Sequence, residues 1–359
     1  VSEPASLGES FRRLIGATGP ISVQHFMGEA NARYYTSRDP FGAGGDFITA
    51  PEISQMFGEL IGLWLADMWL RSGAAAPLHY VELGPGRGTL ARDALRAMRQ
   101  HGAAPSVHFV EASQRLKALA LEAVPEARFY EDLSRVPSDG PILVVANEFF
   151  DALPIRQLVY TEEGWRERMV AARDGEFVFT AGRQPMDAAV PEARRTAEIG
   201  TILETCPAAA AITFEIAGRL KQQGGAALFV DYGYAEPRFG STLQAVRAHR
   251  KVDPFAEPGE ADLTALVDFS ILRDVTLSRD ARWLGTVTQG DFLRALGIEQ
   301  RAQALGRVAP EERQSLLLAK DRLIAPEQMG ELFKVMALAA PGWPDGAGFP
   351  PAPRAPGSG

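Results

Sequence analysis

Apolar and polar positions follow two rhythms along this chain, and the change of rhythm lays out the fold. Between residues 79 and 151, short apolar runs alternate with stretches whose apolar positions recur every three or four residues. The runs at 80–83, 107–110, 128–130 and 141–146 predict buried strands. The periodic stretches 90–100 and 113–124, the latter with Leu116, Leu119 and Ala120 on one face, predict helices. Strands alternating with helices pair in parallel, so the pattern predicts an α/β protein with a doubly wound sheet.

Upstream, Phe11, Leu14 and Ile15, then Val23, Phe26 and Met27, predict helices over 5–35 with a break at Gly19-Pro20. Thr49-Ala50-Pro51-Glu52 has capping-box spacing. The helix it opens carries Ile53, Met56, Phe57, Leu60, Ile61, Trp64 and Met68 on a core-facing stripe. Past residue 151 the alternation stops. Three apolar runs in 155–181, separated by Glu163-Gly164 and Asp174-Gly175, predict antiparallel hairpins. Helix is expected again over 191–223, 263–269, 291–296 and 311–319, with strands at 226–230, 283–287 and 332–339. The expected organisation is therefore an N-terminal helical extension at 1–76 and a core at 77–340. Insertions interrupt the core at about 152–222 and 235–261, and 341–359 reads as a disordered proline- and glycine-rich tail.

Composition narrows the possible functions. The 359 residues are 46% hydrophobic and 23% charged, as in an ordinary globular protein with a sizeable core. A net charge of −8 provides no basic field to gather nucleic acid. Cys206 is the single cysteine, which excludes an intrachain disulfide and a cysteine metal cluster and favours a reducing compartment. The apolar run at 60–66 is far too short to span a bilayer. The five histidines have no metal-ligand spacing and read as structural or solvent-facing, so no metal is expected.

The chemistry gathers at Glu82-Leu83-Gly84-Pro85-Gly86-Arg87-Gly88, where a strand runs into a glycine turn and a helix start. Dinucleotide sites need G-x-G-x-x-G, and P-loops need a lysine that is missing here. An acid ahead of glycines at every second position repels phosphate. It suits the ammonium and sulfonium of S-adenosylmethionine (SAM), although such a turn also serves as a bare βα connection. Glu111 ends the second strand, where a carboxylate can accept both ribose hydroxyls. Asp132 and Leu133 after the third strand offer a polar contact and an apolar face to adenine, and Asp132 serves equally as a helix cap. Asn147, Glu148 and Asp151 follow the fourth strand, and all these groups fall at the carboxyl ends of parallel strands. A carboxylate there can orient a cationic guanidinium, with Glu148 as the candidate and Asp151 as its partner or a cap.

Further strings fix a resemblance. These are 45–59, with Gly45-Asp46-Phe47-Ile48-Thr49-Ala50-Pro51-Glu52 at its head, then Glu82 to Leu90, Asn147-Glu148-Phe149-Phe150-Asp151, Asp231-Tyr232-Gly233, Gln289-Gly290-Asp291 and Leu332-Phe333-Lys334. Together they resemble the MidA-like methyltransferases, bacterial and eukaryotic relatives of the mitochondrial arginine methyltransferase that assembles respiratory complex I. The resemblance covers most of 20–340. It implies a class I SAM-dependent methyltransferase of Rossmann-like fold, with Glu82, Gly84, Gly86, Gly88, Glu111, Asp132, Leu133 and Asn147 at the cofactor. Glu148 and Asp151 would stand at the acceptor, and the loop around Asp46-Phe47 would help to close the site. It further implies symmetric dimethylation of arginine on a protein partner such as a complex I (NADH–quinone oxidoreductase) subunit, in a bacterial cytoplasm or a mitochondrial matrix. Leu266 stands where the family pattern has histidine. A small-molecule acceptor, an assembly chaperone that binds SAM without turnover, and a nicotinamide oxidoreductase are the competing readings.

Overall fold

The computed structural model describes residues 6–37 and 48–351, and these fall into two compact units. The larger takes residues 48–150, 210–235 and 267–351, and the smaller takes 6–37, 151–209 and 236–266. Elements of the larger unit are numbered in chain order below.

The larger unit is built on strands β1 (His79–Leu83), β2 (Ser106–Val110), β3 (Arg128–Tyr130), β4 (Ile142–Asn147), β5 (Gly225–Tyr234), β6 (Arg282–Thr288) and β7 (Phe333–Ala339). Across the sheet they run β3-β2-β1-β4-β5-β7-β6. The first five in that row pair in parallel, and β7 is antiparallel to both β5 and β6. Central parallel strands are covered on both faces, which is why Ile142 to Ala146 and Ala226 to Val230 are wholly apolar and fully buried. The strand order reverses between β1 and β4, and that switch point is where open α/β sheets bind ligands.

Helices α1 (Ala50–Ile53), α2 (Gln55–Arg71) and α3 (Thr89–Gln100) stand next to this point. The single capped helix expected from Thr49 is two. The Thr49 side chain makes no cap bond, and the backbone turns extended at Ser54 (φ −162°, ψ 140°). Ser54 then caps α2 by accepting the Met56 N–H at 3.2 Å. Helices α2 and α3 pack backbone to backbone, and a Cβ on Gly62 would lie 2.3 Å from the Ala94 carbonyl oxygen. Beside that crossing Glu59 is gripped by Arg96 and Arg301. Burial alone would raise its pKa, but the two guanidinium partners outweigh burial and hold it below the ordinary value.

The C-terminal segment departs from the expected tail. The Trp64 indole donates to the Ala347 carbonyl at 3.0 Å, and the Phe349 ring packs on Trp64 and Phe292. Two aromatic anchors, Trp343 and Phe349, overcome a composition that otherwise favours disorder, at least as far as Pro351. The expected helix over 263–269 is likewise two strand pieces and a later helix. Asp262–Thr264 pairs with Gln244–Val246 in the smaller unit. In the larger unit Asp268 caps the helix Phe269–Ser278 by accepting the Ser270 N–H at 3.0 Å.

The smaller unit joins the helices Leu7–Thr18 and Val23–Ser37 to a sheet of Ile21–Ser22, Arg156–Thr161, Gly164–Arg173, Glu176–Pro185 and Ile202–Thr205. Asp174 and Gly175 both have positive φ (51° and 86°), as a two-residue hairpin turn requires. Two expectations change here. Helix in the 191–223 stretch begins only at Pro207, after the strand Ile202–Thr205, and the insertion at 235–261 contains a hairpin, Gln244–Arg247 with Arg250–Val252. Asn31 ties the helix Val23–Ser37 into this unit. Its amide donates to the Ala152 and Leu263 carbonyls (2.9 and 2.7 Å), and its oxygen accepts the Leu263 N–H.

The tight α2–α3 crossing predicts that Gly62→Ala loses about 2 kcal/mol by overpacking. Gly16→Ala, with nothing within 4 Å of the added methyl, should instead gain up to about 1 kcal/mol. Urea denaturation of both variants, followed by tryptophan fluorescence, checks the contrast.

Candidate active site

Residues of the larger unit line a cleft of about 400 Å³ at the switch point. Glu82, Gly84, Gly86, Asn147 and Glu148 lie on its wall with Thr49, Pro51, Glu52, Arg87 and Thr89. Three of these side chains are carboxylates.

The glycine turn has the geometry its spacing suggests. Gly84, Gly86 and Gly88 have φ of 62°, 53° and 73°, the left-handed region that other residues avoid. The Gly84 N–H donates to the Val110 carbonyl at 3.0 Å, and the Gly88 N–H to the Pro85 carbonyl at 2.7 Å. A Cβ on Gly84 would meet the Phe149 ring at 2.8 Å, and one on Gly88 would crowd Ala120 and Ala123. Gly88 thus serves helix packing and does not line the cleft.

Glu82 is buried at the end of β1 and accepts the Tyr80 hydroxyl at 2.6 Å. Burial pushes its pKa up to about 8, against the opposing pull of that hydrogen bond. At neutral pH this burial favours the protonated acid. Glu111, at the end of β2, is also raised by burial, while the Ser113 N–H at 2.7 Å pulls the other way.

The end of β4 is strained. Glu148 has φ 49°, uncommon for a residue with a side chain. Its N–H continues the ladder to the Val230 carbonyl at 2.8 Å, and its Oε1 accepts the Ala50 N–H (3.0 Å) and the Asn147 amide (3.2 Å). The Asn147 Oδ1 is buried with no partner among the described residues, a lone acceptor beside the cleft. Asp231, fully buried on β5, locks the turn by accepting the Phe149 and Phe150 N–H groups at 3.1 and 2.9 Å. Sequence reasoning gave Asp231 no site role. Its signals were a string in the family resemblance and its place closing the apolar run 226–230, and neither reveals partners that are backbone groups about eighty residues away.

Other candidates fall elsewhere. Asp132 is exposed and caps the single turn Leu133–Arg135 through the Ser134 N–H at 3.0 Å, and Leu133 is buried behind it. Neither is among the residues lining the cleft. Asp151 belongs to the smaller unit, buried near Tyr35 and Asp262, and does not line the cleft either. Asp46 and Phe47 lie outside the described residues. Three residues that do line it, Thr49, Glu52 and Thr89, were not singled out as site residues. Two of the histidines are structural in the sense expected and form a buried chain, with His79 bonded to Asp139 and His108, and His108 to Tyr130.

Strand order β3-β2-β1-β4-β5-β7-β6 with β7 reversed, and a glycine turn behind an acid at its switch point, define a class I methyltransferase fold. Residues 60–287, well over half of the chain, match the family described as "Putative S-adenosyl-L-methionine-dependent methyltransferase", and the chain belongs to that family. Its cofactor is SAM, and the chain is a SAM-dependent methyltransferase. Similar curated proteins include the mouse "Protein arginine methyltransferase NDUFAF7, mitochondrial", 39% identical over 90% of this chain and 82% of its own length. The Drosophila melanogaster homologue is 37% identical over 93% and 84%. A Burkholderia thailandensis protein crystallised with S-adenosyl-homocysteine superposes with a TM-score of 0.81 at 28% identity, covering 95% of this chain and 93% of that one. The residues present fit the cofactor: a buried acid for its ammonium, a turn that brings backbone close, and the orphaned Asn147 oxygen.

The contact between Gly84 and Phe149 makes a prediction. The αL strain of alanine in Gly84→Ala should lower stability by about 1–2 kcal/mol, and the clash with Phe149 should displace the turn and weaken S-adenosylhomocysteine binding about tenfold or more. Adding Phe149→Ala should restore part of the loss. A calorimetric double-mutant cycle checks the coupling, and strict additivity of the two changes would rule it out.

Proposed function

We propose that this enzyme methylates arginine on a protein acceptor, with Glu148 orienting the guanidinium. The carrying observation is the Glu148 carboxylate, held in a strained turn on the wall of the cleft that the cofactor's glycine turn also lines. SAM supplies an electrophilic methyl group on a sulfonium. The protein's task is then to bring a nucleophile into line with it. A guanidinium is cationic at any physiological pH and presents planar N–H donors that a carboxylate can hold in register. The names of relatives 37–39% identical over at least 90% of the chain support arginine as the acceptor.

In this reading Glu82 receives the cofactor's ammonium, Glu111 the ribose hydroxyls and Asn147 Oδ1 a further donor. Asp132 and Leu133 keep a place at the adenine edge only if they shift on binding. The finer reading, one methyl on each terminal nitrogen of an arginine in a respiratory complex I subunit, rests on the family resemblance alone. Mass spectrometry of candidate subunits incubated with enzyme and labelled SAM tests it. Label on a small molecule and on no protein would overturn the acceptor assignment.

Two outcomes are expected. Glu148→Gln should leave cofactor affinity within about twofold while lowering methyl transfer on the order of 10²-fold, as for loss of one preorganised polar group. Normal turnover in that variant would move the acceptor role elsewhere. Second, a cation bound at Glu82 favours its ionised form, so binding below about pH 8 releases a proton. Affinity for S-adenosylhomocysteine should then rise with pH up to about 8, by as much as about tenfold per unit, and level off above it. The slope should vanish in Glu82→Gln. Calorimetry at several pH values, in buffers of unlike ionisation heat, measures both.

A further inference from the structure

The cleft holds a carboxylate that the reading above does not use. We propose that Glu52 is the second of two carboxylates, with Glu148, that hold the cationic acceptor, and that it helps to select a guanidinium; the inference rests on the arginine reading.

Its placement carries the argument. Glu52 sits on the four-residue helix α1, at the spacing that would let it turn back and cap Thr49. It does not. Its Oε1 accepts the Thr89 hydroxyl at 2.5 Å, from the first residue of α3 after the glycine turn. Among the described residues its Oε2 has no hydrogen-bond partner, and the side chain is on the cleft wall. A stabilising charge at a helix N-terminus would be the plain explanation, but a helix of one turn has little dipole, and the carboxylate leaves the helix to reach Thr89. The same helix is tied at its start to the other acid, since the Ala50 N–H donates to Glu148 Oε1. One short helix therefore carries one carboxylate and is held by another, joining the end of β4 to the start of α3.

Glu82 lies apart from this pair, buried at the end of β1 against Tyr80, where it meets the need of the cofactor's ammonium. That leaves two half-buried acids in one cleft with, among the described residues, a single cationic residue, Arg87, in the lining. A guanidinium has five N–H donors in a rigid plane, so two carboxylates can take separate edges of it. An ammonium, a point charge with three rotating donors, gains less from two fixed acceptors.

The test uses the full chain saturated with S-adenosylhomocysteine and three probes: N-acetyl-arginine methylamide, its lysine counterpart and its neutral citrulline counterpart. Binding is followed by ligand-observed NMR, with thermal melting as the check on folding. Wild type should prefer arginine to citrulline and to lysine. Glu52→Gln should bind the arginine probe at least about tenfold more weakly, the scale of one charged hydrogen bond lost, with cofactor affinity within about twofold and the citrulline probe unaffected. Thr89→Val, which frees the Glu52 side chain, should fall between the two. Undiminished arginine binding in Glu52→Gln overturns the inference and leaves the arginine reading standing. Loss of cofactor affinity in that variant also overturns it and moves Glu52 to the cofactor. A wild-type complex with no preference for arginine overturns the arginine reading itself.

Discussion

The site depends on one buried carboxylate, Asp231. It sits inside the sheet with no exposure, and its oxygens are turned to backbone N–H groups of Phe149, Phe150 and its own neighbour Tyr232. An αL conformation at a residue such as Glu148 costs about 1–3 kcal/mol. A hydrogen bond contributes about 0.5–1.5 kcal/mol net, so the two from the Phe149 and Phe150 N–H groups to Asp231 work against that strain. The turn after β4 stays bent because β5 holds it there. The bend in turn seats the Phe149 ring where Gly84 would otherwise carry a Cβ, so the shape of the glycine turn is set from β5 through β4. Three neighbouring strands share one constraint.

This arrangement explains what could and could not be read from the residues. Gly84, Gly86 and Gly88 were legible because only glycine is at ease at three alternating positive φ values, and Glu82 because an acid closing an apolar run is conspicuous. The first four strands were legible for the same reason, since strands buried on both faces are written as continuous apolar runs. Asp231 was not, because its partners are backbone groups about eighty residues away, which leave no mark in the local pattern. Glu52 was misread: capping-box spacing is a local signal, and Thr89 competes for the carboxylate from 37 residues further on. Asp132 shows the converse, a short-range cap that was also open to a ligand reading.

The smaller unit was legible in its parts and hidden as a whole. Its hairpins declared themselves through Asp174-Gly175, yet nothing local says that helices before residue 38 share a core with residues 151–209 and 236–266. The clasp that shows it is Asn31, whose amide bonds to Ala152 and Leu263 across 121 and 232 residues. The stretch from 262 to 269 was misread because a short apolar run fits strand and helix alike. Pairing with Gln244–Val246 decided it, and Asp268 delayed the helix.

Crowding acids into one cleft raises the question of why the fold tolerates them. The neighbouring acids have tertiary partners: Glu52 a hydroxyl, Glu148 a backbone N–H and an amide. Glu82 is handled differently, since burial favours its protonated form. A buried carboxyl that stays neutral avoids the large cost of an isolated interior charge, and Tyr80 still satisfies one of its oxygens. A cation arriving beside it reverses the balance, because the new charge compensates the desolvated carboxylate. That coupling favours ligands which bring their own positive charge. A neutral ligand of the same shape would leave the acid protonated, so burial at Glu82 makes this wall of the cleft answer to the charge of whatever binds beside it.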